Sequence, residues 1–386
     1  FPKLSGLTVL APKKKEWTGV YAAAARILRH PPLQEMVRQS YSGVYVDEYQ
    51  DCTVEQHGLV LALADIRPCR LLGDPLQGIF NFKPNQPIDW DTHVRPVFPD
   101  VPGPKDPWRW KSTNPKLGEW LRQVRDDLLA GREVVLDGGC PVRWQRLDGN
   151  AMPVQLTACR SVKAGEDETT VAICKWGWQG HKIVRSLQGM YSCVEPIECP
   201  DLFSWAARIA KADGFQRAVE VIDFAAECLT KIRSELKGTR PALEKGRTPS
   251  AKKYPEVVAA LMAVTSTDGL LPVVTALEAL AKVPGVPPDR RELLREMIRS
   301  VREHAAGGAQ DLADAAWKVR NRTRVVGRRL ARFCMGTTLL VKGLEFDHAV
   351  VLNADELDRA NLYVAMTRGR KSLTILSRKP VLRPQA

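Results

Sequence analysis

Apolar and polar positions along these 386 residues follow several rhythms, and each predicts a different element. In residues 16–40 apolar side chains return at helical spacing (Trp17, Tyr21, Ala24, Ile27, Leu28) and resume after Pro31-Pro32 with Leu33, Met36 and Val37. Short apolar runs at residues 43–47 and 69–73 predict strands, with a helix carrying Gln56, Leu59, Leu61 and Leu63 between them. This strand–helix–strand alternation predicts an α/β lobe with a parallel sheet. Residues 84–107 hold many prolines and little periodicity, and read as a linker. A second α/β segment begins near Trp108, with an amphipathic helix (Leu117, Trp120, Leu121, Val124, Leu128) and the strand-like run Thr170-Val171-Ala172-Ile173-Cys174. Helical spacing dominates residues 201–330, interrupted by a charged stretch around residues 237–253. The α/β pattern then returns with Ala349-Val350-Val351-Leu352, a helix over residues 357–367 and the strand Leu373-Thr374-Ile375-Leu376.

The first strand ends in two adjacent carboxylates, Asp47 and Glu48. In open α/β sheets ligands lie off the carboxyl ends of the strands, so both acids are expected to face the ligand crevice. One carboxylate suits Mg²⁺, held partly through water, and the next suits orientation or deprotonation of an attacking water. A lone Asp-Glu pair reads better as a solvated strand end. Three further stretches accompany it: Leu71-Leu72-Gly73-Asp74-Pro75-Leu76-Gln77-Gly78-Ile79-Phe80, Lys342-Gly343-Leu344-Glu345-Phe346-Asp347, and Tyr363-Val364-Ala365-Met366-Thr367-Arg368-Gly369-Arg370.

At these residues the chain resembles the UvrD/Rep family of superfamily 1 DNA helicases, whose DExQD, GDxxQ, KGLEFD and YVAMTR boxes match in order. The resemblance implies an α/β fold of two RecA-like parallel-sheet lobes, the first incomplete, with a helical insertion in the second. Residues 1–100 would hold the end of the first lobe, 101–200 the start of the second, 201–330 the insertion and 331–386 the last segment of the second lobe. It implies ATP and Mg²⁺ as cofactors, single-stranded and duplex-junction DNA as partners, and 3′→5′ movement. By the same resemblance Asp47 anchors Mg²⁺, Glu48 activates water, Gln50 lies near a nucleotide–DNA relay and Gln77 senses the γ-phosphate. Asp74 reads as well as a cap that fixes its loop. Phe80 and Phe82, followed by Lys83, match an aromatic pair that stacks on bases, a sequence-tolerant contact; one of the two could instead be core. In Trp108-Arg109-Trp110-Lys111-Ser112 the family's aromatic–Arg–Ser pattern fits in two registers. Arg109 is favoured over Lys111 because a planar, permanently charged fork suits a transferring phosphoryl group, and the adenine-stacking residue stays open between Trp108 and Trp110. Gly343 and Glu345 correspond to residues near the nucleotide sugar, Arg368 to a second γ-phosphate arginine, and Thr338 to a contact with the DNA backbone.

Composition adds constraints. The formal charge of +13 suits a polyanionic partner. Nine scattered cysteines without a Cys-x-x-Cys pair argue against a zinc site or a disulfide scaffold, and a reducing cytoplasm is the default. No apolar run approaches a membrane span. The basic run Lys318, Arg320, Arg322, Arg324, Arg328, Arg329 and Arg332 reads as a solvated face or as a phosphate track. The chain starts at Phe1 and contains no Gly-x-x-x-x-Gly-Lys-Ser/Thr loop; Lys13-Lys14-Lys15 has no glycines around it to cradle a phosphate. It therefore reads as an N-terminally truncated helicase, inactive by itself. The competing expectation is a non-hydrolysing DNA-binding or docking module that has lost that loop. The Tyr49 variant of the box, Cys52, Gln56-His57 and the short insertion also resemble small helicases that work beside a nuclease partner in antiphage defence.

Overall fold

The computed structural model describes residues 17–80, 86–101, 103 and 106–385. Among the described residues the chain forms ten strands: β1 (Val44–Val46), β2 (Cys69–Leu71), β3 (Val134–Val135), β4 (Arg143–Arg146), β5 (Thr170–Cys174), β6 (Ser192–Cys193), β7 (Phe333–Thr337), β8 (Phe346–Val351), β9 (Gly369–Ser377) and β10 (Val381–Leu382). Six of them make one sheet in the order β4-β9-β8-β5-β7-β6, with every pairing parallel. β1 and β2 pair in parallel as a separate two-stranded sheet, and β10 closes antiparallel on β3. The molecule is a mixed α/β fold built on a parallel sheet.

The large sheet is sealed on both faces, and the sequence of β5 explains how. Alternate side chains of a strand point to opposite faces, so Val171 and Ile173 enter one core with Leu117, Leu121, Val124 and Leu128 of the helix Pro115–Leu129. Ala172 and Cys174 enter the other, with Ile183 and Val184 of the helix Gly177–Ser186. All five β5 residues are buried, as expected for a parallel strand covered by helices on each side.

Between β6 and β7 the chain leaves the sheet for a helical layer running from Pro200–Lys211 to Leu312–Val326. This layer has its own core around Phe224, Leu261, Leu277 and Leu293. The sheet and the helical block thus fall where the two periodicities put them, and the β5, β8 and β9 stretches form as expected. The residues read as a linker are partly structured: Asp89 caps a π-helical turn, Trp90–Val94, by accepting from Thr92 N. No helix among the described residues is long and apolar enough to cross a membrane.

Candidate nucleotide-hydrolysis site

Asp47 and Glu48 stand at the carboxyl end of β1, both exposed. The chain turns sharply there. Glu48 takes φ 52°, ψ 39°, a left-handed conformation that costs a non-glycine residue energy and persists only where its surroundings fix it. Glu48 N donates to Asp47 Oδ1 at 2.8 Å, and Tyr49 N donates to Leu72 O at 3.0 Å. Gln50 Nε2 donates to Glu48 Oε2, while its Oε1 accepts from Asp74 N at 2.9 Å. A Cβ on Gly73 would lie 2.6 Å from Gln50 Oε1, so only glycine lets the end of β2 lie this close to the acidic turn. Tyr49 is fully buried and its hydroxyl lies 2.6 Å from His57 Nδ1.

The second strand end is fixed by Asp74. Its carboxylate accepts from Leu76 N at 3.2 Å, Gln77 Nε2 at 3.1 Å and Arg125 at 3.1 Å. Asp74 is therefore the loop-fixing cap, and the Gln77 side-chain amide donates to it. Leu76 packs into the core of the large sheet, so this box already reaches across to the other lobe.

Lys342 makes the strongest crossing contact. Its ammonium donates to both Asp51 carboxylate oxygens (2.7 and 2.5 Å) and to Gln77 O (2.7 Å), and lies 3.7 Å from Glu48. It also sits 5.0 Å from the centre of the Phe80 ring. Burial pushes the Asp51 carboxyl up, against the opposing pull of Lys342. The sequence places Lys342 and Asp51 inside their boxes without giving either a role. The available signal was the pairing of a box lysine with a box acid.

Two arginines meet beside this cluster. Arg109 donates to Glu345 Oε1 at 2.9 Å and to Thr367 O at 2.8 Å. Trp110 is pinned, its Nε1 donating to Gly369 O at 2.9 Å, whereas Trp108 is 63% exposed with Lys111 over its ring. Trp108 is thus the aromatic of this pair with an open face. Arg368 is 2% exposed and has no carboxylate partner among the described residues: it donates to Val364 O, Leu344 O and Thr367 Oγ1. Burial and then the neighbouring Arg109 charge pull its guanidinium down to about 10, while Glu345 and Glu48 act the other way. Gly369 follows it in a position where a Cβ would lie 2.5 Å from Ser372 O. Gly343 takes φ 74° and opens the turn that leads to Glu345.

The remaining candidates separate. Phe80 is 40% exposed. Phe82 and Lys83 lie outside the described residues. Thr338 is buried, its hydroxyl bonded to Asn361. In the run from Lys318 to Arg332, Arg322, Arg324, Arg329 and Arg332 are exposed, and several members are ion-paired. Arg320 is buried against Glu292 and Glu296, Arg328 pairs with Glu292, Arg322 with Glu303 and Lys318 with Asp314. Arg332 donates to the carbonyls of Ala164, Gly165 and Glu168.

The acids fit a magnesium ion in chemistry. Asp47 and Glu48 are hard oxygen donors at an exposed strand end, and among the described residues no cluster of three or more such side chains could form an all-protein cage. Mg²⁺ is commonly held this way, by one or two carboxylates with phosphate oxygens and water. No curated protein matches the chain. Residues 12–88, which carry the acidic turn and the Asp74–Gln77 box, match the family model described as the UvrD/REP helicase N-terminal domain. That match, over the residues that build the acidic side of the cleft, supports a UvrD-like family for this chain.

Proposed function

We propose that this chain carries the water-activating acids and the closing arginines of an ATP-dependent DNA helicase of the UvrD type, moving 3′→5′ on single strands. One observation carries the reading: Glu48 and Arg109 lie near enough to Arg368 to act on its charge, and Lys342 bonds Asp51 and lies 3.7 Å from Glu48. Asp47 holds Mg²⁺ with phosphate oxygens, and Glu48 takes the proton of the attacking water. Arg109 and Arg368 meet charge developing on the transferred phosphoryl group, and their placement opposite the acids makes hydrolysis depend on closure of the cleft. Trp108 offers its exposed ring to the base, and Phe80 offers a stacking face to single-stranded DNA.

A second reading rests on one observation of its own. The 386 residues contain no Gly-x-x-x-x-Gly-Lys-Ser/Thr loop, so the amides and lysine that hold the β- and γ-phosphates must come from other polypeptide, or hydrolysis does not occur. The test has two arms, the 386-residue chain alone and the complete translation product of its gene. DNA-stimulated ATPase and unwinding of a 3′-tailed duplex by the complete product, with none from the chain alone, are expected. ATPase in neither arm would leave the DNA-binding module standing; ATPase from the chain alone would reveal a phosphate site elsewhere.

A further inference from the structure

The ion pairs of the basic run leave a residue of uncompensated charge at the edge of the large sheet. Edge strand β6 and the start of β7 meet the helix Arg291–Ala305 there, around a cavity of about 100 Å³. Arg291, Arg295 and Arg329 line it, with Ser192 and Glu292. Glu292 does not neutralise them, because both its carboxylate oxygens are taken by Arg320 and Arg328. Arg295 donates once, to Arg329 O at 3.0 Å, and its buried Nε has no hydrogen-bond partner. Arg291 donates to Gly189 O. None of the three has a carboxylate partner among the described residues, and Arg299 adds another positive charge beside Arg295, whose guanidinium is pulled down by burial first and then by Arg299.

We infer that this cavity is a binding site for a single phosphate group, supplied by a nucleic-acid backbone or by a soluble phosphate-bearing small molecule. Guanidinium forks match phosphate oxygens two at a time, and a buried unpaired Nε is a donor waiting for an acceptor. Like charges held this close repel one another until an anion sits among them, so the bound form is favoured on electrostatic grounds. The cavity is closed on one side by a sheet edge and on the other by a helix, which fixes the spacing of Arg291 and Arg295 one turn apart. It lies outside the cleft that carries Glu48, and its occupancy does not depend on ATP hydrolysis.

The experiment is thermal unfolding of the 386-residue chain in inorganic phosphate against chloride at equal ionic strength. Phosphate is expected to raise the wild-type Tm by about 2–4 °C, the scale of linkage by a weakly bound ligand. The double variant Arg295→Gln/Arg329→Gln should lose that rise while keeping the wild-type Tm in chloride. Arg302→Gln, exposed on the same helix and paired with Glu278 rather than lining the cavity, should keep it. If the glutamine pair unfolds early, Arg295→Lys/Arg329→Lys retains the charge and should still show part of the rise. An equal rise in the glutamine variant, or no rise over chloride in the wild type, overturns the site. The source follows from DNA affinity measured against salt. A slope lower by about 1 in the double variant assigns the phosphate to nucleic acid, and an unchanged slope assigns it to a small molecule.

Discussion

The two parallel sheets that carry the candidate residues are built very differently. The six-stranded sheet buries β5 completely between two helix-covered cores. The β1–β2 pair is half open: Tyr45 is 66% exposed, Leu72 is 51% exposed, and the core beneath is small, centred on Tyr49, Val60 and Val94. Parallel strands are ordinarily sealed on both faces, so the pair that carries the acids is the more weakly packed side. The division is instructive. Arg368 is fixed by burial and by the carbonyls of Val364, on the helix Arg359–Met366, and of Leu344, just before β8, whereas Glu48 is fixed by a strained turn and a few hydrogen bonds. Lys342 ties the two sides together through Asp51 and Gln77 O.

Replacing Glu48 with Gln gives the largest expected effect. In the hydrolysing protein turnover should fall by about 10²–10⁴-fold, the range for a lost general base, with nucleotide affinity retained. Because Glu48 is exposed, Tm should stay within a degree or two. Arg368→Ala should abolish turnover as well but also lower Tm, since two backbone carbonyls and Thr367 lose a buried donor. If both variants leave Tm untouched, the contrast between a packed and an open side is wrong.

A core probe on each sheet comes next. Ile173→Ala should cost about 2–5 kcal/mol, the usual range for emptying a fully buried aliphatic site. Tyr45→Ala on β1 should change stability by about 0.5 kcal/mol or less, as exposed positions do. Denaturant titration of the two variants side by side measures the difference directly, and equal losses would remove it.

The sealed side was the more legible from sequence. β5 is a near-continuous apolar run, and β8 and β9 each contain a short apolar stretch, at residues 349–351 and 373–376; such runs mark strands buried on both faces. The short strands β3, β4, β6 and β10 carry no such signal: Arg143–Arg146 alternates nothing apolar, and Ser192–Cys193 is two residues long. They are strands because neighbouring strands offer them hydrogen bonds, which is a tertiary fact. The site divides the same way. Asp47, Glu48, Arg109 and Arg368 could be named from their boxes, but which charges touch could not. Lys342 with Asp51, Arg125 with Asp74 and Arg109 with Glu345 join residues tens to hundreds of positions apart. The ion pairs of the basic run were hidden for the same reason: its counter-charges, Glu292, Glu296 and Glu303, sit on another helix.

Phe80 probes the cleft from the DNA side. Phe80→Ala should weaken single-stranded DNA binding by about 1–3 kcal/mol at every salt concentration. The slope of log affinity against log salt should stay nearly constant, because phosphate neutralisation is untouched. Unchanged affinity with an intact fold would make the ring a packing partner of Lys342, 5.0 Å away, and nothing more.

The smallest effect concerns pH and is confined to the open side. His57 is buried beside Tyr49, and burial first, then the nearby His93, holds its imidazole below the ordinary histidine value. The His57 Nδ1 and the Tyr49 hydroxyl share a hydrogen bond at 2.6 Å, which anchors the residue next to Glu48. A depressed folded-state value means that the unfolded chain takes up the proton first. Stability is therefore complete above about pH 6.5 and declines as pH falls below it. One proton limits the decline to about 1.4 kcal/mol per pH unit. His181, also depressed by burial, acts in the same direction inside the large sheet, so the wild-type curve sums both. Asp51, whose carboxyl is raised by burial, acts oppositely. His57→Gln isolates the open side: its loss of stability between pH 6.5 and 5.5 should be smaller than that of wild type. Identical curves would mean that His57 contributes nothing to the pH dependence, and that the anchor beside Glu48 is the packing of the Tyr49 ring alone.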